Sequence, residues 1–224
     1  MELGYVSQAE GSVLVRFGKT RVLCNATLDK EVPRWLKGQG KGWVTAEYSL
    51  MPRSTNTRVD RERKGVSGRT QEIQRLIGRS LRAATNLENM GERQIIVDCD
   101  VIEADGGTRT AAITGGFVAL ALAMRQLKAE AGITSPLLKG WLAAVSVGVS
   151  DGIPVLDLNY EEDSKAGTDM NVVAFDADRL VEVQGTAEHG AYSRKELDAL
   201  LDLALGGIAT LVGLQKDALG GELP

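Results

Sequence analysis

Between Asp98 and Gly115 the chain reads DCDVIEADGGTRTAAITG, and no other stretch limits the fold as much. Ile95, Ile96, Val97, Val101 and Ile102 form an apolar strand that runs into Asp105-Gly106-Gly107-Thr108-Arg109-Thr110. A helical pattern follows through Ala111, Ile113, Phe117, Leu120 and Leu127. Glycines at a strand-to-helix junction let the backbone turn tightly and approach a ligand closely. The helix start then offers unpaired N–H groups and the positive end of a dipole. Thr108 adds a hydroxyl and Arg109 a fork of donors, which makes a seat for a small oxyanion, phosphate first. A glycine turn with a threonine cap and a solvated arginine fits the same residues, so the rest of the chain has to separate the two readings.

That remainder has a repeating grammar. Residues 12–28 read as a hairpin turning at Gly18-Lys19, residues 43–48 as a third strand, and residues 70–90 as a helix stopped by Gly91. Ile73, Leu76, Ile77, Leu81, Ala84 and Leu87 share one face of that helix, and Arg75, Arg79 and Arg82 another. Residues 53–68 are charged and aperiodic, and read as a mobile loop. After a connector over residues 129–139 come a strand at 141–149, a turn at Asp151-Gly152 and a partner strand at 154–158. Strands at 170–175 and 180–184 follow, then a capping box at Ser193–Glu196 that opens a helix through Val212. Strand runs followed by helices indicate an α+β class rather than a doubly wound sheet. With no linker between the runs, the expectation is a single domain over residues 1–224, made of two similar halves at about residues 5–128 and 139–216.

At 224 residues the chain can bury a real core. No basic and apolar leader opens it, and no uninterrupted apolar run approaches the roughly 20 residues of a bilayer span, so a cytoplasmic protein with no membrane partner is expected. Cys24 and Cys99 lie in apolar strands and read as buried thiols. With His189 as the only histidine, Ser/His and Cys/His nucleophilic chemistry and a zinc site are disfavoured. Carboxylates, arginines and a hard, oxygen-loving metal remain.

The net charge of −4 hides a segregation. Residues 53–82 carry nine basic and three acidic side chains, whereas residues 151–224 carry five basic and fifteen acidic ones. A basic island in an acidic protein attracts polyanions, nucleic acid above all; a solvated helix face with internal charge pairs is the plainer account. In the acidic half, Asp157, Glu161, Glu162, Asp163 and Asp169 crowd together, with Asp163 and Asp169 flanking residues 164–168. Crowded carboxylates repel, and a divalent cation or an arginine relieves them; a solvated acidic loop is again the alternative.

Six segments carry a family resemblance: EGSVLVRFGKTRVLC (10–24), KGWVTAEYSLMPRST (41–55), SGRTQEIQRLIGRSLRA (67–83), DCDVIEADGGTRTAAITG (98–115), DSKAGTDMNVV (163–173) and VEVQGTAE (181–188). In this order they resemble the ribonuclease PH family, phosphate-dependent 3′-to-5′ exoribonucleases also called tRNA nucleotidyltransferases. Residues 68–83 and Asn171 point to this family rather than to its polynucleotide phosphorylase or exosome relatives. The resemblance implies a duplicated β-β-α-β-α fold and a homo-hexamer built as a trimer of dimers. It implies inorganic phosphate as co-substrate, bound by Arg69, Thr108, Arg109 and the backbone of Gly107. It makes Asp163 and Asp169 the catalytic carboxylates that hold Mg2+, and Arg53, Arg58, Arg61 and Arg63 the contacts to the tRNA body. The expected activity is trimming of tRNA precursors and other RNA 3′ ends, ribosomal RNA among them, with release of nucleoside diphosphates and reversible addition. The competing readings are an inert RNA-binding ring subunit and a phosphate-dependent enzyme acting on small nucleosides. The sequence departs from the family in lacking its basic N-terminal segment, which would leave a sheet edge unpaired, and in a shorter loop between Arg58 and Gly68. His189 replaces a small residue and is given no role.

Overall fold

Val13, Val15, Val22, Cys24 and Ala26 are buried in two antiparallel strands, β2 (Gly11–Phe17) and β3 (Thr20–Asp29), and this hairpin is the base of the first half. A computed structural model describes residues 1–150, 152–188 and 190–224; Asp151 of the expected turn, and His189, lie outside the described residues. The short strand β1 (Glu2–Leu3) pairs with the outer edge of β2. β4 (Trp43–Leu50), α1 (Gly68–Ala84), β5 (Gln94–Glu103) and α2 (Thr108–Ala131) complete the half. The sheet order is β1-β2-β3-β5-β4, with β4 parallel to β5. In the second half, β6 (Leu142–Ser150), β7 (Ile153–Leu156), β8 (Thr168–Phe175) and β9 (Arg179–Ala187) form an antiparallel sheet ordered β7-β6-β8-β9. A single helical turn, α3 (Tyr160–Asp163), precedes β8, and α4 (Arg194–Leu219) closes the chain behind the Ser193–Glu196 capping box. The α+β class stands, and the halves share hairpins followed by a long helix. Element for element they differ: α1 follows β4 and links it to its parallel neighbour β5, whereas the one-turn α3 follows β7 and leads into the antiparallel pair of β8 and β9.

From Thr110 to Ala121, α2 is buried around its whole circumference, which an apolar helix without an amphipathic stripe requires. It packs against β2, β3 and β5 on one side and β6 on the other, so a single hydrophobic core joins both halves. Buried polar groups fix this junction. Thr114 Oγ1 donates to the Ala144 carbonyl at 3.1 Å and accepts from its N–H at 3.0 Å. Gln215 Nε2 of α4 donates to the carbonyls of Thr114 and Leu142.

Three sequence expectations are corrected. The helix over 70–90 ends at Ala84, because the chain leaves helical geometry at Thr85 to pair with the connector over residues 129–139: Asn86 N–H donates to Leu137 O at 2.8 Å and Lys139 N–H to Ala84 O at 2.9 Å. Gly91 instead follows a 3-10 turn over Leu87–Met90. The strand expected over 154–158 stops at Leu156, since Asp157 adopts a left-handed φ of 57°. By length and apolar content, α2 and α4 are also long enough to cross a membrane, which counting uninterrupted apolar runs did not anticipate; the apolar stretch of α2 is 83% buried in the core and that of α4 28%. Cys24 and Cys99 are buried, free and opposite one another across β3 and β5, as the strand reading required.

Register in the second sheet decides what faces the first half. Ser146 pairs with Asn171 and Asn171 with Gln184, while Gly148, Asp169 and Thr186 form the rung two positions along, on the same face. Residues opposite one another on antiparallel strands share a face, so Ser146, Asp169, Asn171 and Gln184 all point the same way. α4 covers the other face, where Leu156 meets Gly207.

Candidate active site

The glycine turn after β5 is clamped from below. Thr20 Oγ1 of β3 donates to Gly106 O at 2.7 Å and accepts from Asp105 N–H at 2.8 Å. Gly106 and Gly107 both have positive φ, 83° and 56°, which side chains other than hydrogen rarely tolerate. Gly107 precedes the first turn of α2 without a side-chain cap, leaving the N–H groups there free for a ligand. A Cβ on Gly106 would stand 2.1 Å from Leu158 O, so the chain leaving β7 rests directly on this turn. Gly106→Ala is therefore expected to cost about 2–3 kcal/mol, or about 4–12 °C in melting temperature. Gly68→Ala, with open space around its position, serves as the control that should melt like the parent. Equal melting temperatures for all three proteins would refute the close packing.

Above the turn lies a cavity of about 210 Å³, and Arg69, Gly107, Thr108, Arg109, Asp163 and Asp169 all line it. Every residue expected at the phosphate site and both expected metal carboxylates therefore meet in one cleft. α1 brings Arg69 from its first turn, and among the described residues Arg69 makes no ion pair. α2 brings Thr108, whose hydroxyl is 2.8 Å from Tyr48 Oη of β4. Arg109 is oriented by two partners: its Nη1 donates to Gln184 Oε1 at 3.2 Å and to Glu72 Oε1 at 3.4 Å. Gln184 Nε2 closes the triangle with Glu72 Oε1 at 3.1 Å. Asp163 is the last residue of α3 and Asp169 the second of β8, and the tight turn between them is tied down by Gly167 N–H donating to Val149 O.

Burial pushes both carboxyls above the ordinary carboxylate range. Asp169 is raised further by the Asp163 charge and by Glu188, against the lowering pull of Arg109 and Arg69. Asp163 is also raised by burial first, with Arg109 and then Arg69 pulling it down. Burial likewise raises the Tyr48 hydroxyl, which keeps it protonated beside Thr108. Two repelling carboxylates, Asp169 partly buried and Asp163 exposed beside it, suit a hard divalent cation. Among the described residues no cluster of three or more acidic, His or Cys side chains surrounds a common point. A pair of this kind fits Mg2+, which keeps several waters and takes its other ligands from bound phosphates.

The remaining expected residues lie outside this cleft. Arg53 lines a neighbouring cavity, and Arg58, Arg61 and Arg63 are exposed on the 51–67 segment, Arg58 paired with Asp60. The basic island is smaller than its composition suggests. Arg79 is bound by Glu182, and Arg82 stacks 4.4 Å over Trp43 while donating to Val44 O. Arg53, Arg61, Arg63, Lys64, Arg69 and Arg75 are left to carry its field. Sequence reasoning missed Tyr48, Glu72, Ser146 and Gln184. Tyr48 and Ser146 line the cleft, and Glu72 and Gln184 reach it through Arg109; three of the four lie inside segments that carry the resemblance, but only strand register and one helix face give them this position.

Arginines, a helix start and paired carboxylates converging in one cleft between two β-α halves define a phosphate-handling enzyme of the phosphoryl-transfer class. Comparison with known proteins narrows this. The 3′ exoribonuclease family matches as its domain 1 over residues 1–126 and as its domain 2 over residues 140–207, and the chain belongs to that family. A protein of Moorella thermoacetica named ribonuclease PH is 57% identical over 222 residues, covering 98% of this chain and 89% of that protein. Among solved structures, rice Rrp46 superposes with a TM-score of 0.77 at 20% identity, over 97% of this chain and 92% of its own. The Archaeoglobus fulgidus exosome with RNA bound to the active site gives 0.75 at 20% identity, over 94% and 85%. At those identities the two structures speak for the fold alone.

Proposed function

We propose that this protein is a phosphorolytic 3′-to-5′ exoribonuclease that trims tRNA precursors and other RNA 3′ ends. The observation that carries the reading is the single cleft in which Arg69, Thr108 and Arg109 meet Asp163 and Asp169. The 57% identity to a protein named ribonuclease PH supports the same reaction. Inorganic phosphate seated by the two guanidinium groups, the Thr108 hydroxyl and the free N–H groups of α2 attacks the phosphorus of the last phosphodiester in line. The bond to the 3′ oxygen of the preceding nucleotide breaks, and that oxygen takes up a proton. A nucleoside diphosphate leaves together with an RNA one residue shorter. Phosphate is already a nucleophile at neutral pH, so the protein's work is to hold it against the repulsion of the RNA and to neutralise charge. Asp163 and Asp169 would hold Mg2+, which would supply positive charge to the reacting phosphates; one carboxyl of this pair would serve as the acid for the departing oxygen. Exchange of one phosphoester for one anhydride makes the reaction reversible, so excess nucleoside diphosphate extends RNA.

Arg53, Arg58, Arg61 and Arg63 contact the tRNA body in this reading, and their exposure supports it. Self-association into a hexameric ring, a trimer of dimers, is part of the same proposal. Leu180, Val183 and Leu214 stand exposed on β9 and α4, apolar surface that a partner copy would cover. The inert ring-subunit reading gains nothing from a cleft that keeps both arginines and both carboxylates.

The test is a phosphate titration of 3′ trimming on an extended tRNA. Nucleoside diphosphates should appear in proportion to phosphate occupancy, and none without phosphate. Undiminished trimming in phosphate-free buffer with release of monophosphates refutes the proposal.

A further inference from the structure

Beside the anion seat, a wider cavity of about 770 Å³ opens between the 53–59 segment and the end of β5. Thr55, Ala104 and Tyr160 line both spaces and form their common wall. Tyr160 is 62% exposed, and among the described residues its ring enters no aromatic or cation–π pair. Its position is nevertheless fixed. It begins α3, whose capping box joins Asn159 and Glu162, and the backbone of Asn159 abuts Gly106. Tyr160 and Asp163 stand three apart on this one turn, so they project to the same side, with Cβ atoms about 5–6 Å apart. An independent observation concerns Ser54, in the wall of the wider cavity. Its side chain is buried, and Oγ has no hydrogen-bond partner. Buried hydroxyls in native proteins are nearly always satisfied, and one without a protein partner is open to a water or to a polar group of a ligand.

We infer that the wider cavity receives the 3′-terminal nucleoside of the RNA, with its base stacked on the Tyr160 ring and its sugar toward Ser54. This inference rests on the phosphorolytic reading above. The terminal phosphodiester then lies over Asp163 and the anion seat while the base lies one helical turn away. The departing nucleoside diphosphate spans both spaces. Stacking is tolerant of base identity, because every base offers a π face. The four terminal bases should accordingly be removed at similar rates.

Binding of ADP and of inorganic phosphate to the full-length protein tests this by calorimetry. Tyr160→Ala should weaken ADP about tenfold, Tyr160→Phe should stay within about twofold of the parent, and phosphate affinity should be equal in all three. Ser54→Ala should weaken ADP and spare phosphate. Undiminished ADP affinity in Tyr160→Ala overturns the inference, as does an equal loss for phosphate and ADP, which would mark Tyr160 as merely holding α3 in place. So does a Phe variant as poor as the Ala variant. Failure of the parent protein to release diphosphates would strike the phosphorolytic reading instead, before any variant is compared.

Discussion

Arg109→Ala should raise the phosphate concentration needed for half-maximal trimming by about a hundredfold or more, while the affinity for RNA changes little. The side chain of Arg109 is only 17% exposed and is aimed by Gln184 and Glu72, so its donors are preorganised. Removing one preorganised donor at a site of developing charge costs about 10²–10³ in rate in other enzymes. Here the loss falls on the attacking anion, which explains why RNA affinity is spared: the exposed arginines of the 51–67 segment are untouched. Arg109→Lys separates charge from geometry. Lysine keeps the cation but loses the planar guanidinium whose Nη1 engages both Gln184 and Glu72 while its other N–H groups face the anion, so it should recover part of the phosphate affinity and not all. Steady-state phosphate titrations at saturating RNA, with filter binding of RNA in parallel, read both quantities. Full activity in Arg109→Ala would remove the anion seat.

Asp169→Asn should lower the trimming rate by about three orders of magnitude and at the same time raise thermal stability near neutral pH in metal-free buffer. The first effect follows from the loss of one of two carboxylates that meet the reacting phosphates. The second follows from the upward shift of Asp169, caused by burial and then by Asp163. A carboxyl raised on folding is stabilising while protonated, and that contribution disappears as pH climbs through its folded value. At neutral pH the ionised form therefore burdens the fold, and the neutral asparagine relieves it. Melting curves started below the ordinary carboxylate range and carried to neutral pH should show the parent and variant converging at the acid end and separating as pH climbs through the raised folded value, the variant the more stable above it. Mg2+ should then raise the melting temperature of the parent and not of the variant. A variant that melts below its parent at every pH, or that keeps its rate within a few fold, would refute this account of Asp169.

Much of the cleft was legible because its chemistry is written in contiguous motifs. Thr108 and Arg109 follow two glycines at a strand–helix junction, and Asp163 and Asp169 sit six positions apart in one segment. Their convergence with Arg69 was expected from the family resemblance, not from spacing. Gln184 and Glu72 were invisible for a physical reason. Gln184 reaches Arg109 only because β8 and β9 pair in a register that sets it opposite Asn171. Glu72 looks in the sequence like any solvent-facing helix residue. The same long-range pairing ended α1 early: Thr85 left the helix for a bridge to Leu138, more than fifty residues on, which no local periodicity signals. The turn at Asp157 escaped notice because a left-handed aspartate has no strong signature outside a glycine context.

The cleft is assembled from both ends of the polypeptide. Arg69, Thr108 and Arg109 precede β6, whereas Asp163, Asp169 and Gln184 follow it. A nascent chain that has emerged from the ribosome only through α2 lacks the acid pair, the Gln184 that aims Arg109 and the β6 that covers α2, so no formed cleft exists at that stage. Its RNA-rich birthplace is safe from it until the last strands are synthesised and docked.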